Sequence, residues 1–131
     1  MTAPPVAQRF VEAIVAKDRD ALLELMAPRV RMRGMAPGRT WDSDDATTLV
    51  DDVLLGDFFG PQTEITGCRW SRTGAVEDVN SASYQLEMRK DGVDLVCEQH
   101  TFFDVEAGRI HALHLMCSGF LPRTGGGGTL D

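Results

Sequence analysis

The strongest constraint in this sequence is a change of hydrophobic period near Gly60. Before it, apolar residues recur at helical spacing; after it, they alternate in four long runs separated by turn signals. Val6, Phe10, Ala13, Ile14 and Lys17 share one helical face, behind Pro4 and Pro5, which favour a helix start. Lys17-Asp18 breaks the pattern. Asp20 can cap a second short helix over 21–26, with Leu22, Leu25 and Met26 inward and Pro28 ending it. Residues 29–33 alternate, with Val30 and Met32 on one side and Arg31 and Arg33 on the other, as in a half-buried strand. Residues 34–39 (GMAPGR) read as a loop. Ser43 can cap a third helix running to about Leu55, with Ala46, Leu49, Val50 and Val53 as its stripe. Strands are expected over 64–72, 78–89, 93–105 and 109–118. The turns between them fall at Thr73-Gly74, Lys90-Asp91-Gly92 and Glu106-Ala107-Gly108. Helices followed by an antiparallel meander make an α+β domain, with three N-terminal helices packed in a curved antiparallel or mixed sheet.

A length of 131 residues fits one such domain. It divides into an N-terminal arm (1–5), the folded domain (6–121) and a glycine-rich, disordered tail (122–131). The net charge of −7 argues against nucleic acid and anionic membranes as partners. No apolar run is long enough to span a bilayer, and the N-terminus lacks a signal-peptide pattern, so a cytoplasmic location is expected. Cys68, Cys97 and Cys117 lie far apart in apolar stretches with no C-x-x-C, which suits buried free thiols in a reducing compartment. Eleven arginines against two lysines point to a GC-rich bacterial genome.

The element order, together with VEAIVAKDRDALLELMAPRVRMRG (11–34), APGRTWDSDDA (36–46) and HTFFDVEAGRIHALHL (100–115), resembles the SnoaL-like branch of the nuclear transport factor 2 (NTF2)-like superfamily. The resemblance covers about residues 6–121 and implies a cone-shaped pocket enclosed by the sheet and helices. It also implies a cofactor-independent enzyme of secondary metabolism, a polyketide cyclase, isomerase or dehydratase, commonly a homodimer. The fold hosts many chemistries and does not choose among them.

The family's catalytic sets can be tested residue by residue. Where ketosteroid isomerases carry a tyrosine on the first helix this chain has Phe10, and no carboxylate stands at 32–34, where their base lies. Their second donor position falls on Gln99, or on His100 with a different strand count. The Asp–Arg–Asp set of the family's epoxide hydrolases would fall on Ala82, Tyr84 and Leu115, so it is absent. The last-strand aspartate of SnoaL-type cyclases has no counterpart in 110–117 (IHALHLMC).

Strand alternation gives a more apolar set, Leu95, Cys97, Gln99, Thr101 and Phe103, facing His111, Leu113, Leu115 and Cys117. This set, with Ala82, Tyr84, Leu86 and Met88, is assigned to the cone interior; a one-residue bulge would exchange the faces. His111 is then the candidate base, and Tyr84 and Gln99 the donors that polarise a carbonyl. Trp41, Phe10, Met32, Trp70, Thr101, Leu113, Leu115 and Cys97 are the expected contacts to a small apolar or polycyclic ligand. Met26, Met32, Met35 and Met116 read as core filler. The outer face carries Glu98, His100 and His114, either an acid–base or metal set or an ordinary polar or dimer-lining surface. The acidic run 42–45 fits helix capping better than metal binding, and Asp51, Asp52 and Asp57 fit a solvated helix face. A non-catalytic small-molecule binder and an interaction module using the outer sheet face remain as alternatives, and no metal or cofactor site is expected.

Overall fold

A computed structural model of the chain describes residues 5–123. Two helices, α1 (Val6–Ala16) and α2 (Arg19–Leu25), lead into β1 (Met26–Ala36) and β2 (Arg39–Ser43). A third helix, α3 (Thr48–Phe58), precedes β3 (Thr63–Val76), β4 (Val79–Lys90), β5 (Val93–Glu106), β6 (Arg109–Cys117) and the short β7 (Leu121–Pro122). The sheet order is β2-β1-β6-β5-β4-β3, with β7 added to β5. Only the β1–β6 pair is parallel; the other pairs are antiparallel. The fold class is therefore α+β with a mixed sheet, as expected. No helix among the described residues is long and apolar enough to cross a membrane.

The core lies between the helices and one face of the sheet. Phe10 is fully buried and packs its ring 5.5 Å from Phe103 and 6.5 Å from Tyr84, centroid to centroid. The expected stripe of α3 (Ala46, Leu49, Val50, Val53) is buried, as are Ala82, Tyr84, Leu86 and Met88 of β4. Lys17 ends α1 in a left-handed conformation (φ 52°). Its ammonium then donates to Gly60 O (2.7 Å) and Thr63 O (2.6 Å), tying the first helix to the start of the meander.

Several boundaries differ from the sequence reading for local physical reasons. Asp18, not Asp20, caps α2, its carboxylate accepting from Ala21 N at 3.1 Å. GMAPGR is not an irregular loop: residues 34–36 extend β1, and the chain reverses at Pro37-Gly38 into β2. Asp45, not Ser43, caps α3, its two oxygens accepting from the backbone N–H and hydroxyl of Thr48. These bonds, the backbone one foremost, hold the Asp45 carboxyl below its ordinary range. The first hairpin turns at Glu77-Asp78 rather than Thr73-Gly74, so β3 runs further than expected. The other two turns sit where expected, with both central residues at positive φ (Asp91 51° and Gly92 79°; Ala107 53° and Gly108 75°). That geometry matches the twist of the flanking strands.

Four burial assignments change. Cys68 is exposed, while Cys97 and Cys117 are buried. Trp70 is exposed because register shifts between Ile65 and Gly67 and between Cys68 and Trp70 turn this edge strand off the core. Met35 and Met116 are exposed on the outer sheet face rather than filling the core. The fold also passes the expected boundary at 121: Pro122 pairs with Leu95, and Arg123 N donates to Asp94 O at 3.0 Å. The rest of the expected arm and tail (1–4 and 124–131) lies outside the described residues.

Lys17 carries a charged hydrogen-bonding group that two buried-side carbonyls depend on. Replacing it with Met is expected to cost about 2–3 kcal/mol, read from urea unfolding. A loss within experimental error would show that the two carbonyls find other partners.

Candidate active site

The buried interior between the helices and the sheet contains few polar side chains. Thr101 Oγ1 donates to Ala82 O at 2.7 Å. The Tyr84 hydroxyl donates to Gln99 Oε1 at 2.7 Å, and burial raises the phenol well above its ordinary pKa, keeping it a donor. That bond fixes the Gln99 amide with its nitrogen turned away from Tyr84. Gln99 is fully buried, and its Nε2 has no hydrogen-bond partner. A buried donor with no acceptor costs about 1–3 kcal/mol, and such a group often marks a site completed by something else.

Gln99 pairs with Cys117 across β5 and β6, so both project from the same face. Cys117 lines an open cavity of about 200 Å³, whose walls include Trp41, Phe58 and Phe120 and whose rim holds Arg39 and Asp57. Gly119 N–H donates to the Cys117 sulfur at 3.4 Å. The neighbouring Cys97 thiol foremost, and Gly119 N–H, favour a Cys117 thiolate, lowering its pKa from 9.0 to about 6 despite burial. Cys97, the deeper of the two, has its thiol directed to Met88 Sδ at 3.9 Å and is pushed up by the neighbouring Cys117 and by desolvation, so it remains the proton holder.

The rim is built by α3 and β2. The α3 helix is wound wide along Thr48–Phe58, and at its last turn Phe59 N donates to Leu54 O at 2.9 Å with Leu55 out of helical geometry (φ −102°, ψ 17°). Wide turns of this kind shift a helix's face and recur at functional sites. Here only glycine fits inside the turn: a Cβ at Gly56 would lie 2.7 Å from Asp51 O, and one at Gly60 2.5 Å from Gly56 O. Asp57 consequently points to β2, accepting from Arg39 (2.8 Å) and Trp41 Nε1 (3.0 Å) on the same oxygen. The Arg39 guanidinium carbon lies 4.6 Å from the Trp41 ring centroid, and the Phe58 ring packs on Trp41 at 4.6 Å.

The candidate residues therefore divide. Gln99 and Tyr84 come together in the interior, and Trp41 stands at the cavity. Phe10, Met32, Thr101, Leu113, Leu115 and Cys97 are buried packing residues that do not line it. His111 is not in the interior. Register shifts from Asp104–Ala112 to Val105–Ile110, so His111 is the extra residue of a bulge; Ile110 turns inward and His111 is exposed. Trp70 is likewise remote from the cavity. Asp57 was missed because its side chain reaches the rim only through the wide turn, which has no sequence period. Cys117 was placed on the correct face, but its donors are assembled from β5 and from the turn after β6.

The outer face holds the expected Glu98 and His100 together, His100 Nε2 lying 2.7 Å from Glu98 Oε2 and Nδ1 2.9 Å from Ser83 Oγ. Among the described residues no group of three or more His, Cys, Asp or Glu side chains could hold a metal ion. Two larger depressions lie on this face, of about 780 and 480 Å³. The larger is lined in part by Ser43, whose buried hydroxyl also lacks a hydrogen-bond partner.

Two outcomes follow from these contacts. Gln99→Leu strands the Tyr84 hydroxyl and is expected to destabilise by about 1–3 kcal/mol, whereas Tyr84→Phe/Gln99→Leu removes both partners and recovers most of it; additive losses in urea unfolding would contradict the pairing. Cys117 loses its proton at lower pH folded than unfolded. Its stabilisation is thus complete above the ordinary thiol value of 9.0 and is lost as pH falls through about 6. Cys117→Ser is expected to flatten the rise in stability across that window.

No family model matches the sequence, and neither does any curated protein sequence. Solved structures do. A candidate isomerase from Rhodopseudomonas palustris superposes with a TM-score of 0.72 at 10% identity, over 88% of this chain and 91% of that one. A proposed polyketide cyclase from Xanthomonas campestris pv. campestris gives 0.67 at 19% identity, over 85% and 86%. An LEH-like epoxide hydrolase from M. tuberculosis gives 0.64 at 13% identity, over 86% and 80%. Three differently named activities share this backbone, so the likeness fixes architecture and leaves chemistry to the side chains. The chain has the NTF2-like fold, in the form shared by SnoaL-like polyketide cyclases and ketosteroid isomerase-like proteins.

Proposed function

We propose that this chain is a cofactor-independent enzyme that forms an enolate from a small, largely apolar carbonyl compound bound in the open cavity that Trp41 and Cys117 line. The observation that carries the reading is the Gln99 Nε2–H group, fully buried and without an acceptor, paired across β5 and β6 with Cys117 of the cavity lining. A carbonyl oxygen supplies that acceptor and gains more from it as negative charge develops. Asp57 is the one carboxylate in the cavity lining and takes the role of proton acceptor; Arg39 and Trp41 Nε1 hold one of its oxygens and leave the other for substrate. Trp41, Phe58 and Phe120 supply flat apolar walls. An apolar cavity of about 150 Å³ holds a benzene molecule. At about 200 Å³ this one suits a single-ring compound rather than a polycyclic one.

A binder without catalysis is the second reading, favoured by the lack of any buried carboxylate among the described interior residues. We also place a second copy of the chain against the outer sheet face, where Met35, Phe102 and Met116 are exposed together beside the 480 Å³ depression. The cytoplasm suits all of these readings.

Deuterium exchange at the α-carbon of cyclohexanone, followed by NMR, separates the enzyme from the binder. The wild type is expected to accelerate exchange, with Gln99→Leu and Asp57→Asn each slowing it by about 10²-fold or more. Saturable quenching of Trp41 in a Trp70→Phe background with no accelerated exchange would establish the binder instead. Absence of both would reject the site.

A further inference from the structure

Enolate formation by Asp57 and Gln99 leaves one charge of the cavity unused. Three charged side chains line it: Arg39, Asp57 and Lys90. The first two compensate each other, since the Arg39 guanidinium donates to the Asp57 carboxylate at 2.8 Å. Lys90 has no such partner. It closes β4, opposite Thr63 of β3 and Val93 of β5, and none of the ion pairs among the described residues includes it. The other lysine of the chain, Lys17, is spent on two backbone carbonyls. The Lys90 ammonium lies 5.9 Å from the centroid of Phe120, a ring of the cavity wall that stacks on Phe59 at 6.1 Å. A cation over an aromatic face is held there without using its N–H groups, so all three remain available to an acceptor. A chain of net charge −7 therefore lines an aromatic cavity with one uncompensated positive charge.

We infer that the substrate is a single-ring keto acid whose carboxylate is held by Lys90, which makes Lys90 the specificity-determining residue of the site. The inference deepens the proposed function and rests on its carbonyl site. The ring lies against Trp41, Phe58 and Phe120, the ketone oxygen accepts from Gln99 Nε2–H, and the carboxylate accepts from Lys90 Nζ. One ammonium balances the single charge of a carboxylate, whereas a phosphate monoester brings about −1.5 to −2. Because the cavity is open, the carboxylate keeps part of its hydration, and the desolvation cost of a closed ion pair is avoided. The same openness makes the contact sensitive to salt. Arg39 compensates the Asp57 charge, which limits repulsion between the base and the bound anion.

The test compares 4-oxocyclohexanecarboxylate with cyclohexanone, which share a ring and a ketone and differ in the carboxylate. Binding to the full chain is read from Trp41 quenching in the Trp70→Phe background. The keto acid is expected to bind about tenfold more tightly than the ketone at low salt. Lys90→Gln should bring that ratio to about one, Lys90→Arg should retain most of it, and sodium chloride at about 0.5 M should lower it several-fold. Retention in the arginine variant separates the charge of Lys90 from damage to the end of β4, which would weaken both ligands in both variants. Equal binding of the two ketones, or a preference that survives Lys90→Gln, would overturn the inference alone, because cyclohexanone still reports the carbonyl site. Failure of either compound to quench Trp41 rejects the carbonyl site as well.

Discussion

The ring of Phe10 is a fully buried plug between the first helix and the sheet, and the interior packs around it. Its contacts with Phe103 and Tyr84 join α1 to β5 and β4 at one point. An aromatic pair of this kind contributes about 0.5–1.5 kcal/mol beyond its burial. More important is its position. With Phe10 against the Tyr84 ring, the phenol hydroxyl is left to Gln99, and the Gln99 amide nitrogen turns away from the plug. A tyrosine at position 10 would place a second hydroxyl in this packing; phenylalanine leaves Gln99 Nε2 as the sole interior side-chain nitrogen without a partner among the described residues.

The rest of the site is set by departures from regular structure. The wide last turn of α3, which only Gly56 and Gly60 permit, delivers Asp57 and Phe58 to Trp41. The bulge in β6 removes His111 from the interior and inserts Ile110. The left-handed Gly119 folds its N–H onto Cys117. Each device sits at an element end or a register shift, where backbone groups leave the ladder and become available to a site. The electrostatic result is a pair of thiols with opposed tendencies: Cys97 keeps its proton and Cys117 gives it up. The difference in burial and in the number of donors at each sulfur sets that order.

Much of this was legible from residue spacing. The burial of Ala82, Tyr84, Leu86 and Met88 followed from alternation alone, as did that of Cys97, Gln99, Thr101 and Phe103. The turns at Asp91-Gly92 and Ala107-Gly108 followed from the need for positive φ at both positions. Alternation failed at His111 and Trp70 because a single extra residue inverts every following side chain, and no residue type announces it. Capping was read two residues off at both α2 and α3, since Asp18, Asp20, Ser43 and Asp45 are all competent caps and only the path of the preceding chain selects one.

By itself the sequence determined the fold class, the order of helices and strands, and the face of β4 and β5 that forms the core. These depend on local period and turn chemistry, which are properties of neighbouring residues. Tertiary structure decided which polar groups are spent and which are free. Gln99 presents a donor without an acceptor because Tyr84 occupies its oxygen, and Cys117 is a depressed thiol because Cys97 and Gly119 N–H adjoin it. Such properties belong to groups brought together across strands and turns, and their energies depend on distance and burial rather than on position in the chain.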